Sequence, residues 1–120
     1  MPVRVLLADN SVVVLRAIVN VFTGRPEIEI VGQCSRLEQV KRLVAELKPD
    51  VLVIDLRIAD HLNGETQQLK DSHSLRIVAI SVVNDEQVTD LVKRVGADAF
   101  VDKIELFDKL IPAILGVSQP

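Results

Sequence analysis

The stretch Lys48-Pro49-Asp50-Val51-Leu52-Val53-Ile54-Asp55-Leu56-Arg57 decides the fold. Its unbroken apolar run, Val51–Ile54, lies between a helix-ending Pro49 and a carboxylate. A strand wetted on one face alternates apolar with polar residues, whereas a strand covered on both faces need not. The run therefore predicts an interior strand of a parallel sheet with helices on either side. Outward from it, Val3–Ala8, Ile28–Gly32, Ile77–Ile80 and Ala99–Val101 are apolar in the same continuous or nearly continuous way.

Helical periodicity fills the intervals. Ser11 is placed to cap a helix carrying Leu15, Val19 and Phe22 on one stripe, which Gly24-Arg25-Pro26 stops. Leu37–Leu47 sets Leu37, Val40, Leu43, Val44 and Leu47 on one face before Pro49. Asn84 or Asp85 opens a fourth helix with Val88, Leu91, Val92 and Val95 inward, closed by Gly96. The fifth spans Leu106–Leu115, with Leu110, Ile111, Ile114 and Leu115 apolar and a kink expected at Pro112. Between Gly64 and Arg76 the chain is polar apart from Leu69, so only a short third helix is expected there. Repeated strand–helix alternation predicts an α/β fold: a five-stranded, doubly wound parallel sheet of order 2-1-3-4-5, flavodoxin-like. Residues 1–116 are expected to form the domain and residues 117–120 a tail or linker stub.

Composition narrows the function classes. With 120 residues, 48% hydrophobic and 26% charged, the chain supports one self-sufficient core. Aromatics make up 2%, all Phe, which argues against base-stacking platforms. A net charge of −3 argues against a domain that tracks nucleic-acid phosphates. Cys34 is alone, which excludes an intrachain disulfide and a cysteine zinc cluster and suits a reducing, cytoplasmic compartment. The apolar start is too short for a signal peptide or membrane span.

In a sheet of this order, ligands sit beyond the carboxyl ends of the strands. There the first strand delivers Asp9 and Asn10, the third Asp55, the fourth Ser81 and the fifth, after Asp102, Lys103. Two carboxylates and an amide oxygen suit Mg²⁺, which binds few protein groups and keeps its waters. A metal-bound Asp can take up a phosphoryl group as an acyl phosphate. A hydroxyl and an ammonium then suit the phosphoryl oxygens.

At these residues the chain resembles the receiver domains of bacterial two-component response regulators. The resemblance rests on Leu7-Ala8-Asp9-Asn10-Ser11, on Lys48–Arg57, on Ile80-Ser81, and on Gly96-Ala97-Asp98-Ala99-Phe100-Val101-Asp102-Lys103, and it runs nearly end to end. The second-helix region and the Lys103-Ile104-Glu105-Leu106 turn are most like receivers that precede helix-turn-helix output domains, which implies a link to transcription regulation. The resemblance implies that Asp55 is the phosphoryl acceptor. It implies that Asp9 and Asn10 hold Mg²⁺ together with Asp55 and the Arg57 backbone carbonyl. Ser81 and Lys103 then bind the phosphoryl group, and Ser81 with Phe100 forms the switch. It further implies a sensor histidine kinase as partner. A homodimer is expected through the face made by the fourth helix, fifth strand and fifth helix, with no nucleic acid bound by this domain and no membrane. The chemistry is that of a self-phosphorylating, self-dephosphorylating signalling domain rather than a metabolic enzyme.

Several residues depart from the family pattern. Asn10 stands where a metal-ligating Asp is usual, which predicts weakened Mg²⁺ binding. Val82 replaces a small residue and narrows access for a donor histidine. Ala59 stands in place of a Pro in the loop expected after Asp55, and Gly64 falls one residue late. The contrasting expectation is a degenerate pseudo-receiver, a phosphorylation-independent interaction or dimerisation module, which phosphoryl-mimic binding with Mg²⁺ separates from the switch. A flavin carrier would need a Ser/Thr/Gly-rich phosphate loop after the first strand. A haloacid-type phosphatase would need a second Asp two residues past Asp55, where Arg57 stands.

The remaining polar residues have plainer roles. His61 and His73 are expected at the solvated surface, as are Arg16, Lys41, Arg42, Lys93 and Arg94, and Cys34 as a packed thiol. Ile104, Leu106, Leu110 and Ile114 are expected mainly in the core, with part of the set exposed as a partner patch.

Overall fold

The computed structural model describes residues 1–62, 64–82 and 86–118, with the side chains of residues 37 and 86 set aside. The strands are β1 (Val3–Ala8), β2 (Ile28–Cys34), β3 (Val51–Asp55), β4 (Arg76–Ser81) and β5 (Ala99–Asp102). The helices are α1 (Val12–Phe22), α2 (Leu37–Leu47), α3 (Leu56–His61), α4 (Glu65–His73), α5 (Glu86–Val95) and α6 (Leu106–Ser118). All strand pairs are parallel, in the order β2-β1-β3-β4-β5 expected from the alternation.

β3 shows why its sequence does not alternate. Val51 and Val53 pack with α1 and α6, while Leu52 and Ile54 pack with α2, α3, α4 and α5. All are fully buried. Burial of each such side chain contributes up to about 1.5–3 kcal/mol, so no position on this strand tolerates a polar residue until Asp55.

The helix signals act as expected where they are described. Ser11 Oγ accepts from Val14 N (3.3 Å) at the start of α1, whose Leu15, Ile18, Val21 and Phe22 are buried. Val40 and Val44 of α2 are buried, with Leu43 and Leu47 partly so; the Leu37 side chain lies outside the described residues. Gly96, at φ +75°, closes α5, and both Gly96 N and Ala97 N donate to the Val92 carbonyl. The expected caps Asn84 and Asp85 lie outside the described residues. α6 runs as one helix through Pro112 and on to Ser118, two residues into the segment expected as a tail. Leu106, Leu110 and Ile114 are buried, leaving Ile104 as the exposed member of its set.

The connection from β3 to β4 corrects the expectation of a loop followed by one short helix. Two helices occupy it, and the first begins directly at Leu56. The Asp55 carboxylate caps α3 by accepting from Arg57 N at 2.8 Å. Leu56 and Ala59, one turn apart, are both buried and anchor its inner face, and Leu62 continues the stripe. α4 is fastened at buried Thr66, whose Oγ1 donates to the Val95 carbonyl (2.6 Å), and at Lys70, which reaches Gly96 O and Asp98 (2.9 Å each). Two of the polar residues of this segment, Thr66 and Lys70, thus hold the end of α5 and the turn after it, while Gln67, Gln68, Asp71 and Ser72 are exposed.

Candidate phosphoacceptor site

Strand register assembles the site. Ala8 pairs with Ile54, Asp55 with Ile80, and Ser81 with Asp102. Asp9, Asp55, Ser81 and Lys103 consequently end neighbouring strands at one edge of the sheet.

Asp9 is fully buried; its Oδ1 accepts from Ser11 N at 2.8 Å. Asp55 is also buried, with Oδ1 committed to Arg57 N. The second oxygens of both carboxylates converge on Lys103. Its Nζ donates to Asp55 Oδ2 at 2.6 Å and lies 2.7 Å from Asp9 Oδ2. Asp9 Oδ2 is thus a buried oxygen held against the Lys103 ammonium. Burial alone pulls the Lys103 ammonium down, but hydrogen bonds and charge from Asp55 and Asp9 outweigh it and hold it above 10.5. The ammonium is therefore charged throughout the neutral range.

Ser81 is buried at the end of β4. Strand alternation sets it, like Ala79 and Phe100, on the face that α5 covers. Phe100 is half-buried and borders a surface groove of about 290 Å³ with Asp102, Glu105 and Lys109. Asp102 stays out of the pocket: its Oδ1 accepts from Ile104 N (3.1 Å) and caps the 3₁₀ turn Lys103–Glu105. Val82 is exposed at the rim, as is Asn10.

The donor set suits a hard cation at its carboxylates. Asp9 and Asp55 offer buried anionic oxygens, with Oδ2 of each against the Lys103 ammonium. Among the described residues no three His, Cys, Asp or Glu side chains converge into a group that could hold a metal ion, and Asn10, next to Asp9 in the chain, is exposed. The Arg57 carbonyl lies in the first turn of α3 and faces His61 Nδ1 at 2.7 Å, and His61 is exposed, as expected. Cys34 is buried, with its thiol pushed up by burial, as expected of a packed residue.

A five-stranded parallel sheet with two buried acids and a lysine at its carboxyl edge defines a receiver-type signalling domain. The response regulator receiver domain matches residues 5–115, and the chain belongs to that family. It is 27% identical over 120 residues to the transcriptional regulatory protein LiaR of Bacillus subtilis (strain 168), covering 98% of this chain and 56% of that protein. It is 33% identical over 105 residues to the nitrate/nitrite response regulator protein NarL of Escherichia coli (strain K12), covering 85% and 48%. The chain thus spans about half the length of these relatives. Among solved structures, the isolated receiver domain of RcsB from Salmonella enterica serovar Typhimurium superposes with a TM-score of 0.81 at 21% identity, covering 94% of this chain and 85% of that one. The response regulator domain of Thermotoga maritima CheB gives 0.79 at 19% identity, covering 100% of both. Among the described residues, no helix is long and apolar enough to cross a membrane.

Proposed function

We propose that this domain is a working phosphoacceptor switch, with Asp55 the acceptor, a sensor histidine kinase the donor and Mg²⁺ the cofactor. The observation that carries this reading is the meeting of buried Asp9 and Asp55 on the Lys103 ammonium at 2.7 and 2.6 Å. An Asp55 oxygen attacks the phosphorus of a phosphohistidine. An O–P bond forms as the N–P bond breaks, and the imidazole leaves with the electron pair and takes a proton from solvent. Lys103 pairs with the phosphoryl oxygens as their charge redistributes, and Ser81 hydrogen-bonds them. Asp9 and Asp55, with the Asn10 amide, hold the Mg²⁺, which when bound neutralises charge on the phosphoryl oxygens.

Ser81 and Phe100 carry the change to the face of α5, β5 and α6, where a second copy binds. Exposure of Ile104 (80%) and Phe107 (73%) beside that face supports a partner surface. The lone buried thiol and the kinase partner fit a cytoplasmic location.

Intact-mass spectrometry after incubation with a small phosphoryl donor and Mg²⁺ tests the reading. The expected result is one adduct of about 80 Da that requires Mg²⁺ and is lost in Asp55→Asn. A folded protein that takes no adduct from a small donor or from a phosphorylated kinase overturns it.

A further inference from the structure

The two helical layers meet solvent differently. α2 and α5 turn charged residues outward, Lys41, Arg42 and Glu46 on one and Asp90, Lys93 and Arg94 on the other. α1 and α6, packed side by side over the opposite face of the sheet, are apolar nearly all round. Arg16 and Asn20 are the polar side chains of α1, and Asp108, Lys109 and Ser118 those of α6. Val12 and Val13 nevertheless stand exposed on α1, as do Phe107 and Pro112 on α6. Exposed apolar surface shared by two neighbouring helices marks a contact site.

Lys109 and Ala113 border the groove beside β5, which fixes that flank of α6. The helical turn then sets Phe107, Ile111 and Leu115 on the flank toward α1, with Asp108 and Pro112 outward. On α1, burial of Leu15, Ile18 and Phe22 leaves Val13, Arg16 and Asn20 outward. From α1 to the crest of α6 the charged residues are thus one cation, Arg16, and one anion, Asp108. Both are exposed, and among the described residues neither has an ion-pair partner. We propose that this surface binds a second copy of the chain about a two-fold axis running along the helices. α1 follows β1 and α6 follows β5 in a parallel sheet, so both helices start at the same edge. The axis therefore lays α1 of each copy along α6 of the other and brings each Arg16 to Asp108 of the partner subunit. Two unpaired charges of opposite sign, one on each helix, make the face complementary to itself, which selects a second copy over other apolar partners. Ser81 and Phe100 lie on the sheet face that α5 covers, so the contact needs no phosphoryl group on Asp55. It also leaves the Lys109 flank of α6 free for the switched contact.

Sedimentation equilibrium of the unphosphorylated chain tests the proposal. Wild type and Asp55→Asn are expected to dimerise with the same Kd. Arg16→Asp and Asp108→Arg each place like charges together twice in the interface and are expected to raise Kd about tenfold or more. The variant carrying both exchanges restores opposite charges and is expected to return to within about threefold of wild type. Lys109→Glu, on the other flank of α6, is expected to leave Kd unchanged. All three positions are exposed, so the variants keep the fold, which melting temperatures check. A wild type that stays monomeric up to about 1 mM overturns the proposal, as does one that dimerises only when phosphorylated. A double variant as weak as either single one, or a Lys109→Glu as weak as Arg16→Asp, overturns it as well.

Discussion

Lys103 and Asp55 are 48 positions apart in the chain and 2.6 Å apart in the fold, Nζ to Oδ2, with Asp9 Oδ2 on the same ammonium at 2.7 Å. One cation thus serves two buried anions. The resting pocket is self-neutralised to a single net negative charge, and its three charged groups are interdependent. Whatever enters it must either replace the ammonium or bind to it.

Removing that ammonium strands two carboxylates together out of water. Lys103→Met is expected to destabilise the fold by about 3 kcal/mol in urea unfolding, as for other broken buried pairs. Asp55→Asn in the Lys103→Met background is expected to recover part of the loss, so the double-mutant cycle shows coupling. The pH dependence has a definite sign. Because the folded value is raised, the Lys103 contribution is full below 10.5 and is lost as pH rises through the higher folded value. The stability gap between wild type and variant is therefore flat through neutral pH and closes in alkali. A gap that closes near pH 7 would contradict the geometry.

Much of this site was legible before any coordinates. Val51–Ile54 needs no alternation to be a strand, because both of its faces meet helices, and Asp55 is conspicuous as the break in that run. Asp9, Ser81 and Lys103 follow from the same logic at the other strand ends. α3 was not legible. Leu56 and Ala59 make a stripe of a single turn, below what periodicity resolves. Its capping residue is Asp55, an acid with a chemical role to occupy it. The direction of the Arg57 carbonyl follows from that cap, so it was hidden too. The set Ile104, Leu106, Leu110 and Ile114 divided into one exposed and three buried members only when the 3₁₀ turn after Asp102 set the start of α6.

Thr66 links α4 to α5 through a single buried hydroxyl, 2.6 Å from the Val95 carbonyl. Thr66→Val keeps the shape and removes the donor, leaving a helix-terminal carbonyl without that partner. The expected loss is about 1–2 kcal/mol in denaturant midpoints. Hydrogen exchange should quicken at the α5 C-terminus ahead of β1 or β3. Uniform acceleration across the sheet would show that the hydroxyl does not act locally.

Cys34 ends β2 with its thiol buried and raised above 9.0 by desolvation. A neutral thiol is thus favoured in the folded chain, and the sign matches that of Lys103. The contribution is complete below 9.0 and declines as pH rises above it, where the unfolded chain ionises first. Native Cys34 is expected to alkylate roughly a hundredfold more slowly than an unfolded control. Cys34→Ala is expected to flatten stability above pH 9.0 relative to wild type. Rapid native alkylation would place the thiol at the surface.

Asn10 follows Asp9 in the chain and is exposed, and the resemblance implies a metal-ligating acid at that position. A unit charge about 4 Å from a cation is worth at most about 4 kcal/mol per cation charge at an effective dielectric of 20, and the amide oxygen recovers part of it. Asn10→Asp is therefore expected to tighten Mg²⁺ by about tenfold, on the order of 1.4 kcal/mol. Without metal the same change adds a third carboxylate to a pocket that holds one ammonium. The apo variant is thus expected to melt below wild type and to rise above it when Mg²⁺ is saturating. This crossing of melting temperatures separates a ligand from a bystander. If Asn10→Asp shifts stability equally with and without Mg²⁺, residue 10 does not face the cation, and Asp9 and Asp55 hold it alone.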